Sequence, residues 1–582
     1  MFPFGAIKRA FRRPSRPADF TLGKRGEPGI PGGGEDVVRG VHRERRPFRS
    51  GTISRSPFGG MSETEREDLG RRLDKSLREN ISTIMDTFHA PRNSDLTVRE
   101  IEINWRDGRR RAVCLFIDGL SDLETIRRHV LAPLLSMDHD AGRSSVDPRC
   151  LAKKVLSGTF VDFGDTFSEV VAAIVGGETV LLVDGEDLGV IVQTRNPEHR
   201  AIVESPAEAV VRGPHAGFVE NFRENVTMIR LLLETPQLVT EQLHVGARSH
   251  ALFGIMYIEG IVNPKLVDEV RRRITSVESG LLMTMTILER LIEDEPYSPY
   301  PVMLVTERPD RVASMLAEGH VAIVDSSPSV AVVPVTLWTL MQSPEDYYIH
   351  FVAASFVRVI RWAALLSTLY ASSLYVAIVT FHHEMIPTEL LFTIAASREA
   401  VPFPAALEVV VMEAAFELIR EAGVRIPTII GPTLGIVGAV IIGQAAVTAT
   451  VVSPILVVVV AISGLASFAI PNYELGVLLR MTRFAMILAA AALGLPGVTM
   501  LSVFLLARLC IMRSFGVPVL APVLPSWRHS ADTFLEGPLW IMRKRPQTAR
   551  PLEDDRQPQR ARPVKPGESV RRGRVPERRE RR

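Results

Sequence analysis

The stretch FPAALEVVVMEAAFELIREAGVRIP (Phe403–Pro427) lies between long apolar runs, yet Glu408, Glu413, Glu417 and Glu421 put a carboxylate at almost every turn. On a helical projection Glu413, Glu417 and Glu421 form one stripe about 80° wide, with Val411, Met412, Ala415, Phe416, Leu418 and Ile419 opposite. The pattern predicts an amphipathic acidic helix over 403–421. Two settings fit it: an interfacial helix with a wet acidic side, or part of an ion path whose repeated carboxylates attract cations. Glu408 projects into the apolar face, where a carboxylate needs a partner, a wet cavity or a proton. Glu408, Glu413 and Glu417 are the candidate ion-pathway residues.

The flanking runs set the scale. Trp362–Phe381, Thr428–Val447, Val451–Ile470 and Phe484–Arg508 are each apolar over about 20 residues, enough for a hydrocarbon core of roughly 30 Å. They predict a polytopic all-α transmembrane bundle within residues 346–525, with five or six spans if parts of 386–396 or 403–419 also enter the bilayer. Arg358 and Arg361 before the first span, and Arg508 and Arg513 after the last, place both termini on the cytoplasmic side. The connection from His382 to Pro427 carries seven Glu and three Arg, which suits the opposite side. Arg480 and Arg483 fall in a loop assigned outside and run against this scheme. In the second span Gly431, Gly435, Ala439 and Gly443 recur every four residues, a small-residue stripe on which helices pack closely.

Charge is uneven along the 582 residues, although the net value is only +2. Residues 1–60 hold 13 Lys/Arg against 5 Asp/Glu, and residues 543–582 hold 15 against 6. Both ends are rich in Pro and Gly, which predicts disordered basic tails over 1–70 and 526–582. Anionic lipid is a candidate partner for them; no nucleic-acid partner is expected. The start MFPFGAIKRAFRRPSR has no apolar signal-peptide core, so the long region before the first span is expected in the cytosol. Cys114, Cys150 and Cys510 are far apart and form no metal-ligand or disulfide pattern.

Between tail and bundle the sequence predicts two mixed α/β subdomains, 71–148 and 149–345. RRAVCLFIDGL reads as a strand ending in an Asp118-Gly119 turn, and ETVLLVDGEDLGVIVQTR reads as a hairpin. The expected fold class is thus α+β: two cytosolic α/β subdomains, a polytopic helical membrane domain and Arg-rich tails. No phosphate-binding loop is present, His382 and His383 lack metal-ligand spacing, and VDGEDLG lacks the distal Glu of a calcium loop. No catalytic residue, cofactor or metal is assigned, and the chain is not expected to be an enzyme.

Several segments taken together, in order, carry a resemblance: DLTVREIEI, LFIDGLSD, ESPAEAVVRGPHAGFVENFRENVTMIR, TERPDRV, QSPEDYY, VVSPILVVVVAISGLASFAIPN and RSFGVPVLAP. They resemble the A-subunit family of spore germinant receptors, the GerA family, from about Asp95 to Pro522. A close paralogue group, associated with the dipicolinate-channel proteins, shares these motifs. The chain departs from the family where Glu318-Gly319-His320 and Asp325-Ser326-Ser327-Pro328 stand. The resemblance implies the inner spore membrane, with the α/β region facing the core. It also implies a homo-oligomer that works with a transporter-like B subunit and a lipoprotein C subunit. The implied activity is a nutrient-gated cation path that triggers germination; the alternatives are a non-conducting scaffold that clusters germination proteins, or a germination-amplifying channel of the paralogue group.

Overall fold

Along β2 (Gly108–Ile117), Val113, Leu115 and Ile117 point to one face and Ala112, Cys114 and Phe116 to the other, and all six are buried. A strand with two apolar faces needs cover on both sides. It belongs to a five-stranded sheet with β1 (Leu96–Trp105), β3 (Val161–Gly164), β4 (Thr179–Val183) and β5 (Gly189–Val192), in the order β1-β2-β4-β5-β3 with every neighbour antiparallel. Helices α1 (Leu77–Thr87) and α2 (Phe167–Val175) cover one face. Ile126, Val130, Leu131 and Leu134, from a helical passage whose central turns Ile126–Leu131 are π-helical, cover the other. The computed structural model describes residues 69–105, 108–136, 160–195, 208, 210–279, 284–425, 443–524 and 532–556, all within the compact unit Pro57–Gln557.

A second sheet repeats the first. Its strands β6 (Leu238–Val245), β7 (Ala251–Ile258), β8 (Leu304–Thr306), β9 (Val321–Val324) and β10 (Val330–Val333) take the order β6-β7-β9-β10-β8. Helices α3 (Phe222–Leu232), α4 (Pro264–Thr275), α5 (Met285–Ile292) and α6 (Pro309–Leu316) cover its two faces. Local chemistry repeats too. After β2 the chain turns through Gly119 (φ 88°) and Asp122 caps the next helix; after β7 it turns through Gly260 (φ 81°) and Asn263 caps α4. Both glycines take a left-handed conformation that side chains disfavour. The first sheet draws strands from either side of the expected break near residue 148. The division between the sheets falls instead between Val192 and Leu238.

The helical region comprises α7 (Phe351–Phe381), α8 (Thr388–Arg398), α9 (Ala405–Arg425), α10 (Pro454–Phe468), α11 (Tyr473–Leu493) and α12 (Leu495–Ile511). Two of them, α7 and α11, are long and apolar enough to cross a membrane. The expected span 362–381 lies inside α7, whereas α10 has 15 residues, about 22 Å at 1.5 Å per residue. The span expected over 484–508 is broken. Gly494 (φ 67°, ψ −143°) ends α11, and Pro496 sits at the start of α12, so two helices stand where one was predicted. Most of the span expected at 428–447 lies outside the described residues, as does nearly all of the N-terminal tail.

The C-terminal tail also differs from expectation. Residues 532–556 pack against the second sheet domain: Leu552 N–H donates to the Ile261 carbonyl (2.9 Å), and Arg545 Nε donates to that of Ala317 (2.9 Å). Its arginines lose their repulsion to local and distant acids, Arg545 to Glu553 and Arg556 to Glu318.

One buried group bolts the two sheets together. Arg230 of α3 donates to Asp95 Oδ2 (2.6 Å), Asn93 Oδ1 (3.1 Å) and the Leu238 carbonyl (3.0 Å), while Ser94 N–H reaches the Thr240 carbonyl (2.9 Å). Removing one partner of such a pair strands a buried charge. Arg230→Met is expected to cost about 3–5 kcal/mol and to expose the connection between β5 and β6 to protease. Denaturant unfolding and limited proteolysis check this; wild-type stability and cleavage would exclude the bolt.

Candidate functional site

The helix expected over 403–421 exists as α9, but burial does not follow its predicted faces. Glu413 and Glu408 are 0% and 1% exposed, while Leu407, Val411 and Leu418 are exposed. Carboxylates in an apolar helix group turn inward to find partners; here Val409 and Met412 are buried beside them. Of the acidic stripe, Glu413 is buried, Glu417 half-buried and Glu421 exposed.

Glu413 meets three other helices. Its Oε1 accepts from Ser372 of α7 (2.6 Å) and Ser463 of α10 (2.9 Å), and its Oε2 stands 2.8 Å from Arg483 Nη2 of α11. The last contact is one of charge; the hydrogen bond from Nη2 goes to Glu417 Oε1 (3.1 Å), one turn along α9. Arg483 Nη1 donates to Ser463 (3.2 Å), and Arg480 pairs with Glu417 (3.3 Å). Two carboxylates and two guanidinium groups thus cancel in charge between α9 and α11. Nearby, Arg420 donates to Ser467 (2.6 Å) and lies 4.1 Å from the centre of the Phe468 ring, a cation–π contact. Arg483 and Arg420 each leave Nε without an acceptor among the described residues.

Glu408 does not join this group. It pairs with Arg398 of α8 (3.2 Å) and accepts the backbone N–H of Ser453 (3.2 Å), the residue that opens α10. A carboxylate at a helix N-terminus satisfies an orphan donor and the positive end of the helix dipole. This explains why a charge on the predicted apolar face is tolerated.

Of the predicted packing stripe, Gly431, Gly435 and Ala439 lie outside the described residues. At Gly443 an added Cβ would meet only Val457 Cγ1, at 3.9 Å, an ordinary contact. A close approach occurs instead at Gly464 of α10, where a Cβ would lie 2.6 Å from the Phe416 ring of α9. Sequence reasoning also missed the cationic half of the site. Arg480 and Arg483 were assigned to an outside loop, yet both lie within α11. Their spacing of three in an apolar run, matching the i, i+4 spacing of Glu413 and Glu417, was the available signal.

A second buried charge group sits at the head of α7. Asp346 Oδ2 accepts from Arg358 (3.1 Å) and Arg361 (2.6 Å), and Asp532 accepts from Arg358 (2.7 Å) and the Tyr347 hydroxyl (2.8 Å). The two arginines used to orient the first span are thus neutralised, which weakens them as topological signals.

The sequence profile described as Bacillus/Clostridium GerA spore germination protein matches residues 82–548. The chain belongs to the GerA family. It is 38% identical over 487 residues to spore germination protein KA of Bacillus subtilis, covering 83% of this chain and 89% of that one. The uncharacterised membrane protein YfkQ of the same organism is 35% identical over 487 residues, covering 83% and 93%. The N-terminal domain of the A subunit of the Bacillus megaterium spore germinant receptor GerK3 is 27% identical, over 45% of this chain and 96% of its own, with a TM-score of 0.36.

Without Arg483, Glu413 and Glu417 lose their shared cation. Arg483→Met is expected to lower stability by about 3–5 kcal/mol, and adding Glu413→Gln to recover part of that loss. Thermal unfolding of the purified variants in detergent checks this. Additive losses in the double variant would show that the pair is not coupled.

Proposed function

We propose that this member of the GerA family is a multi-pass subunit of a spore germinant receptor, set in the inner spore membrane with both termini on the core side. It oligomerises and works with a transporter-like B subunit and a lipoprotein C subunit. In this reading, Glu413, Glu417 and Glu408 serve a cation path that is closed in the present conformation. The supporting observation is the neutral cluster of Glu413, Glu417, Arg483 and Arg480 buried between α9 and α11. Carboxylates held by arginines attract no passing cation, so conduction requires a second arrangement in which the pairs part. A signal from a partner biases the two arrangements only by contacting them differently.

The same pairing favours a second reading, in which the carboxylates only hold the helices and the subunit is a scaffold. Potassium and sodium flux through liposomes containing the protein, alone and with its partner subunits, separates them. A conducting subunit gives protein-dependent flux that falls in Glu413→Gln and Glu417→Gln, because rings of carboxylates set cation selectivity in an ion path. Flux absent in every combination, with oligomers confirmed, leaves the scaffold. Flux unchanged in both variants keeps the path and removes the carboxylates from it.

A further inference from the structure

The C-terminal segment that docks on the second sheet domain also runs beside the first turns of α7, in the opposite direction. Phe534 packs against Trp338 and Trp362 (ring centres 4.6 and 5.9 Å away). The Glu536 backbone exchanges two hydrogen bonds with the Ser355 hydroxyl (3.0 and 3.2 Å), and the Trp540 ring meets Phe351 edge-on (6.1 Å). A turn closed by Ile541 N–H on the Pro538 carbonyl (2.8 Å) carries Leu539, Trp540 and Ile541. Its far side is anchored too: Met542 is buried, and Arg545 is held by the Ala317 carbonyl and by Glu553. Leu539 and Ile541 are nevertheless 56% and 57% exposed, and Trp540 and Leu535 are exposed as well. An apolar turn that the fold fixes in place and leaves uncovered marks an interaction surface.

The helix beside it sets its depth. The exposed apolar side chains of α7 begin at Val352 and Phe356 and continue to Phe381. Val352 and Phe381 are about 44 Å apart at 1.5 Å per residue. That matches the roughly 40–45 Å of a bilayer with its headgroup layers and exceeds the roughly 30 Å of its hydrocarbon alone. With α7 across the bilayer, its Val352 end lies in a headgroup layer, and the turn beside Phe351 lies at the same level. Tryptophan is enriched at that level.

Two cations follow the turn directly. Arg543 and Lys544 are both exposed, and neither side chain pairs with an acid among the described residues. Arg543 Nε reaches only the Trp540 carbonyl (3.4 Å), and Lys544 meets Asp555 through a backbone bridge. Arg545 and Arg556, by contrast, are paired with Glu553 and Glu318. Apolar side chains at headgroup depth with free cations next to them complement an anionic lipid surface.

We propose that the Leu539–Ile541 turn is an interfacial anchor, seated in the leaflet nearest the α/β region with Arg543 and Lys544 on anionic phospholipid headgroups. The anchor rests on the membrane setting proposed above, and it stands whether or not the subunit conducts.

The test uses the full chain in nanodiscs of phosphatidylcholine with or without phosphatidylglycerol, the lipids brominated near the headgroup end of their acyl chains. Bromine quenches tryptophan emission only in near contact. The Trp540 share of the emission is the difference from Trp540→Phe, and Leu366→Trp, at an exposed position further along α7, reports the bilayer setting. Both should be quenched in anionic discs. Arg543→Gln with Lys544→Gln should return Trp540 to its phosphatidylcholine level and leave the Leu366→Trp signal unchanged, each cation near an anionic surface contributing about fivefold to binding. Leu539→Ser with Ile541→Ser, at exposed positions, should relieve the quenching of Trp540 alone. Trp540 unquenched beside a quenched Leu366→Trp overturns the anchor and keeps α7 in the bilayer; protection of Trp540 from aqueous iodide would then assign the turn to a second protein copy. Both unquenched overturns the membrane setting and the anchor together. Equal quenching of Trp540 in both lipids, unmoved by the glutamine pair, overturns the role of the anionic headgroups.

Discussion

The contact of Arg483 with Glu413 and Glu417 is the constraint on which the helical region depends. An ion removed from water costs several kcal/mol even after relaxation, and attraction offsets this only with good geometry and added hydrogen bonds. Ser372 and Ser463 supply such bonds, and they come from two further helices. The requirement to satisfy one carboxylate therefore fixes the relative placement of α7, α9, α10 and α11. In the membrane setting proposed above, apolar packing alone would allow those helices to slide, because lipid is as apolar as a neighbouring helix. The polar cluster gives them a register.

The sheets obey a different logic. Each is a hairpin, a strand and a second hairpin laid into one antiparallel order, with helices on both faces, and water drives their burial. Where the domains meet, the solution is again a buried arginine: Arg230 against Asp95 between the sheets, and Arg358 with Asp346 and Asp532 at the head of α7. Arginine suits these junctions because its planar fork reaches several acceptors at once and keeps its charge when buried.

Much of this was legible. Runs such as Val180–Val183 with a Gly-containing turn announce a hairpin, and the Glu spacing from 408 to 421 announces a helix. The direction in which α9 faces was not. Periodicity shows which residues share a face, but not which of them the neighbouring helices cover. Arg480 and Arg483 were misplaced because charge was taken to mean a loop, when their partners stood in another helix. The break at Gly494 hides in an apolar run, since one left-handed glycine before Leu-Pro leaves hydropathy unchanged. The sheet repeat was missed for a similar reason: Ile117-Asp118-Gly119-Leu120 and Ile258-Glu259-Gly260-Ile261 share a conformation and a polarity pattern, with different side chains. The docked segment 532–556 looked like a tail because the acid that neutralises Arg556 lies far away in sequence, at Glu318.

Among the described residues, α7 is the element that touches both the Arg358 group and the Arg483 group. Arg358 and Arg361 fix its head to Asp346 and Asp532, and Ser372 donates to Glu413. Arg358 and Ser372 are about 21 Å apart along the helix at 1.5 Å per residue, and α7 is unbroken between them. An unbroken helix transmits translation along its axis with little compression. A shift of α7 large enough to free Ser372 from Glu413 must therefore also strain the Arg358 contacts, and the converse holds. Whether the chain conducts or only assembles others, a change in the α/β region that reaches the helical region has this route available, provided that α7 has two positions to choose between.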